Sequence, residues 1–218
     1  GNASNPPDMM LRGGGAIEVK NTESRHAYLD LNSSYPKAIL TLNHPMLTTH
    51  CRSAEDWQQK DMLYVVGHVN KDKLQSLAFV YGVDYAADDA IYQTIKSRIK
   101  QGVETIEGVE FTETKELGKI KKVDPLGITD LRVRGMWHIQ SPFKVFDYVY
   151  QRDFDNAFNV MVIINEQKWQ TLTNTQALKD VIATTPNATL TDIQIKNPNN
   201  PAQLKAAKLI TFFVRGEA

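Results

Sequence analysis

The alternation of apolar and polar positions divides the chain into strands and helices. Asp61 to Val69 (DMLYVVGHV) and Leu77 to Tyr85 (LAFVYGVDY) are dense in β-branched and aromatic residues, and Asn70-Lys71-Asp72-Lys73 between them reads as a turn. This predicts two central, mutually antiparallel strands, and their near-continuous apolar runs predict cover on both faces. Ile91, Ile95 and Ile99 recur at helical spacing within Asp88 to Gln101, predicting a helix with that stripe on the core and Gly102 as its stop. Leu47 to Lys60 reads as another helix, with Ser53 capping its second half and Asp56 at the capping-box position. Further on, Phe158 to Asn165, Leu190 to Lys196 and Lys208 to Arg215 read as strands, Asn174 to Thr184 as a helix, and Pro198 to Pro201 as a loop. Interleaved strands and helices of this kind predict an α/β class: a mixed β-sheet flanked by helices.

The stretch Asn5 to Lys20 (NPPDMMLRGGGAIEVK) carries the candidate chemistry. Pro6-Pro7 forces extended backbone into Asp8, and Gly13-Gly14-Gly15 supply a tight reversal, so the stretch reads as a hairpin. With period two, Glu18 and Lys20 share one strand face and Ile17 and Val19 the other, which is expected to be buried. Asp8, Glu18 and the Val19 carbonyl would then suit Mg²⁺, a hard ion that binds few protein carboxylates and keeps part of its water. Lys20 beside them could hold or help deprotonate an attacking water. A surface hairpin with a merely solvated charged face is the other reading of the same spacing. The triglycine lacks a following Lys-Ser/Thr and is no P-loop.

Composition narrows the classes. The 218 residues suit one domain, and 42% hydrophobic residues suffice for a core. Formal net charge is zero, so any nucleic-acid role must rest on local asymmetry. Lys115 to Lys144 supplies it, with seven Lys or Arg against three acidic residues. The one cysteine, Cys51, excludes an intrachain disulfide or multi-cysteine zinc site and fits a cytoplasmic protein. No apolar run is long enough to span a bilayer, so no membrane association is expected.

Two further segments face DNA in this reading. Asn21 to Pro45 is polar and turn-rich, and Ser33, Ser34 and Lys37 at its centre are suitable phosphate ligands; an ordinary capped turn is the alternative. Leu131-Arg132-Val133-Arg134 puts two arginines on one strand face, the side chain most used for guanine edges, with Leu131 and Val133 opposite. A solvated face, or arginines paired to carboxylates, would produce the same pattern. The five histidines lack metal-ligand spacing, and Trp57, Trp137 and Trp169 read as core or interface. Glu55 is either a further acidic ligand or part of a solvated helix face.

The segments NPPDMMLRGGGAIEVK, LNSSYPKAIL, EDWQQKDMLYVVG, FVYGVDYAAD, ETKELG and KVDPLGITDLRVRGMW resemble the NgoPII-like type II restriction endonucleases of the PD-(D/E)xK superfamily. The resemblance runs from about Asn2 to Phe146 and implies a restriction-endonuclease-like core over 1–146. Residues 147–218 would be a C-terminal extension of the same domain, continuing the sheet or making a dimer contact. It further implies a Mg²⁺-dependent homodimer cutting double-stranded DNA at a short G/C-rich palindrome and leaving 5′-phosphates, with a cognate DNA methyltransferase as functional partner. Asp8, Glu18 and Lys20 match the family's triad by position. Only seven residues precede Asp8, where the fold usually has a helix, and the chain starts without Met, so a shortened N-terminus is expected. A noncatalytic DNA-binding module and a structure-specific repair nuclease are the rival functions.

Overall fold

The structure, a computed structural model, describes residues 7–23, 28–31, 34–44, 47–106, 110, 111 and 117–216. In chain order the strands are β1 (Met9–Met10), β2 (Ala16–Thr22), β3 (Tyr28–Asp30), β4 (Ile39–Thr41), β5 (Gln59–Asn70), β6 (Lys73–Tyr81), β7 (Glu110–Phe111), β8 (Gly118–Lys121), β9 (Leu131–Val133), β10 (His138–Gln140), β11 (Asn156–Asn165), β12 (Ala188–Asn197) and β13 (Asn200–Arg215). The helices are α1 (Thr49–Arg52), α2 (Gly82–Tyr85), α3 (Asp89–Glu104), α4 (Pro142–Val145), α5 (Glu166–Thr171) and α6 (Thr175–Thr184).

One large mixed sheet has the order β1-β2-β5-β6-β11-β13-β12, with β4 paired to the start of β5. Pairs β2/β5 and β6/β11 are parallel and the others antiparallel. The fold is thus the mixed α/β sheet with flanking helices that the pattern predicts. β5 and β6 join through Lys71 and Asp72, both at positive φ (48° and 63°), a primed turn whose twist suits a two-residue hairpin. The strands from Asn156 to Arg215 add to the same sheet beyond β6.

Each face of the sheet has its own core. Glu18, Tyr64, Val80, Ile163 and Leu209 are successive cross-strand partners and share one face. Under them lie Leu29, Leu40, Trp57, Tyr85 and Phe146. On the other face Trp169 of α5 packs with Ile164, Ile210 and Ile182 of α6. No helix among the described residues is long and apolar enough to cross a membrane.

Several expected elements differ. Residues 47–60 hold only the single turn α1, capped by Thr48 rather than Ser53, and Lys60 lies in β5. Tertiary bonds override the helical pattern there: the Trp57 indole donates to the Cys51 carbonyl, and Arg52 donates to the carbonyls of Leu42 and His44. β6 ends at Tyr81 and Gly82–Tyr85 turns into α2, because Gly82 packs so closely on Lys37 and Ala38 that a Cβ would strike their carbonyl oxygens. Helix α3 passes through Gly102 to Glu104, and its stripe Ile91, Ile95 and Ile99 stays 39–48% exposed rather than entering the core. Pro198 to Pro201 is a tight hairpin, with Asn197 paired to Asn200 and Pro201 already in β13.

Candidate active site

The Leu11–Gly15 turn reverses the chain through Gly13 at φ 65°, and β1 pairs with β2 through Met9–Ile17 and Met10–Ala16. Asp8 is fixed at the mouth of this hairpin: its N–H donates to the Ile17 carbonyl at 3.0 Å, and its Oδ2 accepts from the Val19 N–H at 2.7 Å. The carboxylate is thereby held on the backbone between Glu18 and Lys20. Lys20 Nζ lies 2.8 Å from Glu18 Oε1.

The faces of β2 are the reverse of the expectation. Ala16 and Glu18 are buried, at 0% and 8% exposure, whereas Val19 is 44% exposed and Ile17 half-buried. Glu18 pairs with Tyr64 on the core-facing side, whereas α5 and α6 pack on the opposite face against β11 and β13. Glu18 is therefore a carboxylate sunk into the body of the protein. Burial raises its pKa, the contacts with Lys20 offset part of that, and the Asp8 charge adds to the rise.

Glu18 Oε2 is buried and has no hydrogen-bond partner among the described residues. A buried carboxylate oxygen left unmatched is unfavourable unless a cation or donor completes it. Two nearby carboxylates, one with this unmatched oxygen, fit a hard divalent ion. Among the described residues no group of three or more His, Cys, Asp or Glu forms a metal cage, so water and substrate oxygens would supply the remaining ligands.

A second lysine belongs to this site. Lys37 is only 2% exposed, so it does not lie on an open phosphate-binding loop. Its Nζ sits 3.7 Å from the centre of the Tyr35 ring and donates to the Tyr35 carbonyl at 3.2 Å. Burial lowers its pKa from 10.5 to about 8, against the opposing pull of Asp89 and Glu18. Tyr35 is tied to α3, its hydroxyl donating to Asp89 at 3.2 Å and accepting from Gln93 at 2.7 Å. The Tyr35 hydroxyl is pushed up to about 12 by burial and by Asp89.

The other expected contacts lie elsewhere. Ser33 is outside the described residues, and Ser34 keeps its hydroxyl buried. Arg132 and Arg134 are exposed on and just beyond β9, in the small sheet β7-β8-β9, with Arg132 opposite Lys119. Leu131, placed on the strand face opposite Arg132, is 48% exposed. Glu55 joins neither the carboxylates nor a solvated helix face: it accepts from the Gly13 N–H at 2.8 Å and pairs with Lys60. His44 is buried at 7% exposure, which holds its pKa down at about 3. Trp57 and Trp169 are core residues, as expected.

Residues 1–196 match the NgoPII restriction endonuclease family. The chain belongs to that family. It is 54% identical over 213 residues to the type II restriction enzyme NgoPII of Neisseria gonorrhoeae, covering 97% of this chain and 76% of the relative. No solved structure matches it.

As an NgoPII-family member the chain is a site-specific deoxyribonuclease. In this endonuclease the sequence pattern does not single out Tyr64, the partner of Glu18 on the next strand, or Lys60, which holds the hairpin turn. Tyr64 falls in an unbroken apolar run and Lys60 at the end of an apparent helix. Only the parallel pairing of β2 with β5 brings either to the hairpin.

Proposed function

We propose that Asp8 and Glu18 hold Mg²⁺ in this endonuclease and that Lys20 positions the water attacking the scissile phosphate. The observation that carries this reading is the unmatched, buried Glu18 Oε2 beside Lys20 and the fixed Asp8 carboxylate. When bound, the ion would supply charge for a phosphoryl oxygen and the leaving alkoxide. Asp8 is preset for this by the Val19 N–H, which fixes one of its oxygens. Lys20 bonds Glu18 and carries a cation on the strand face where a phosphate would enter. Lys37 adds a second cation whose charge is felt at Glu18. The products would carry 5′-phosphate and 3′-hydroxyl ends.

The DNA partner would be a short G/C-rich palindrome, cut by a cytoplasmic homodimer whose host genome a cognate methyltransferase protects. Two copies reading half-sites suit a palindrome. The exposed Ile91, Ile95 and Ile99 stripe on α3 is apolar surface of the kind a second copy covers. Arg132 and Arg134, with Lys119 and Lys121 nearby, place cations and guanine-reading side chains on an outer sheet. Ser34 and Lys37 would meet phosphate only through a local opening, since the Ser34 hydroxyl and the Lys37 side chain are buried; Ser33 is the third expected phosphate ligand of this segment.

The test is incubation with long mixed-sequence DNA in Mg²⁺ and in EDTA, followed by end-mapping. Discrete fragments in Mg²⁺ alone, with ends that ligate without phosphorylation, support the proposal. Cutting that persists in EDTA, or ends lacking 5′-phosphate, would reject it.

A further inference from the structure

We infer that Lys60 is a positioning residue for cleavage: it locks the Leu11–Gly15 turn onto β5 and so keeps Asp8 in place beside Glu18. This rests on the reading of Asp8, Glu18 and Lys20 given above. Lys60 is 6% exposed, and its ammonium donates to the Leu11 carbonyl at 2.9 Å and the Gly14 carbonyl at 2.6 Å while pairing with Glu55. An ammonium has three protons, and these three partners can take all of them. The second Glu55 oxygen accepts from the Gly13 N–H at 2.8 Å. One ion pair from a distant stretch of chain thus binds three backbone groups of a five-residue turn.

The turn needs an outside hold. β1 is two residues long at the edge of the sheet, and an edge strand with two registered pairs opens easily. Asp8 lies at the end of β1 away from the turn, bonded to β2 at Ile17 and Val19. Gly15 adds contact at the other end, where a Cβ would lie 2.8 Å from the Asp61 carbonyl oxygen. Lys60 directly precedes Asp61 on the strand whose Tyr64 partners Glu18. The clamp therefore ties both carboxylates to one rigid strand: Glu18 through pairing, Asp8 through the turn.

Lys60→Met keeps the apolar stem and removes the ammonium. Mn²⁺ serves as the probe ion, titrated calorimetrically without DNA. The variant is expected to bind it about 10-fold more weakly or worse, and to lower kcat by about 10- to 100-fold with KM for DNA nearly unchanged. Hydrogen exchange at the Val19 amide, the donor to Asp8, is expected to speed up by at least about 10-fold, whereas the β6–β11 pairing keeps its protection. Ile163→Val, a core change on β11, controls for lost stability and should leave the Mn²⁺ affinity and Val19 protection alone. Should Lys60→Met fail to fold, Glu55→Gln is read instead, with the same direction and smaller size. Wild-type Mn²⁺ affinity and Val19 protection in the folded variant, with Lys20→Ala inactive, would overturn the clamp. Faster Val19 exchange in Lys60→Met together with full cleavage by Lys20→Ala would uphold the clamp's hold on the turn and reject the site assignment.

Discussion

Glu18 on β2 and Tyr64 on β5 are direct cross-strand partners, and the Tyr64 hydroxyl holds the backbone of Lys37 at both ends, accepting from its N–H at 2.7 Å and donating to its carbonyl at 3.2 Å. A single fully buried tyrosine thus sets the carboxylate and the second lysine in one frame. Burial raises the Tyr64 pKa well beyond its ordinary value, so the hydroxyl keeps its proton and can donate.

Tyr64→Phe removes both bonds and leaves the buried Lys37 N–H and carbonyl unmatched. The expected loss is about 1–3 kcal/mol of stability, read by denaturant unfolding. No change beyond about 0.5 kcal/mol would mean that the Lys37 backbone is held by other contacts.

Glu18 should couple metal binding to stability. Its pKa is raised by burial, so the folded protein takes up a proton that the unfolded chain releases. That contribution to stability is full below the unfolded carboxyl's range and is lost as pH rises through the raised folded value. In EDTA at about pH 8 Glu18→Gln should therefore melt higher than the parent, and only the parent should gain stability from added Mg²⁺. Calorimetry in both buffers reads this directly, and equal Mg²⁺ stabilisation of the two would remove Glu18 from the metal site.

Lys37 titrates in the opposite sense. The unfolded lysine holds its proton up to 10.5 and the folded one only to about 8, so stability rises with pH between these values and the unfavourable effect of the buried charge is complete below them. Lys37→Met should be more stable at neutral pH, by about 2 kcal/mol once the lost ring contact with Tyr35 is allowed for. Its advantage should vanish toward pH 10.5. A pH-independent difference would show that Lys37 packing, not its charge, sets the balance.

Much of the sheet is legible in the chain because its signals are local. β5, β6 and β11 announce themselves by β-branched runs, and the Lys71-Asp72 turn by its polar, turn-forming residues. The hairpin carrying Asp8, Glu18 and Lys20 is likewise readable from Pro-Pro, triglycine and period-two alternation. What could not be read depends on contacts between distant segments. The inward turn of Glu18 follows from its parallel pairing with Tyr64, and periodicity alone cannot say which face of a strand is covered. The Leu47–Lys60 stretch has helical composition, yet Glu55 and Lys60 are drawn to a turn more than 40 residues earlier in sequence. Ile91, Ile95 and Ile99 have the spacing of a core stripe, but spacing does not reveal what a stripe packs against.

Arg132 and Arg134 separate sequence reading from simple charge. Replacing an arginine that reads a base edge should relax specificity at one position, costing about 1–3 kcal/mol for the cognate site. An arginine on phosphate should instead weaken all DNA alike and reduce the salt dependence by about one unit of slope. Binding titrations of Arg132→Ala and Arg134→Ala against cognate and unrelated duplexes at several salt concentrations distinguish the two, and unchanged binding in both would exclude this sheet from the DNA interface.

The most direct test of the site assignment is Lys20→Ala, assayed for plasmid cleavage in Mg²⁺ and for duplex binding by the same preparation. Lys20 pairs with Glu18 through a partly exposed side chain, so the fold should survive its loss. Cleavage is expected to fall by about two to three orders of magnitude while DNA affinity stays within a few-fold of the parent. Full cleavage by a folded Lys20→Ala would contradict the assignment of Asp8, Glu18 and Lys20 as the cleavage site.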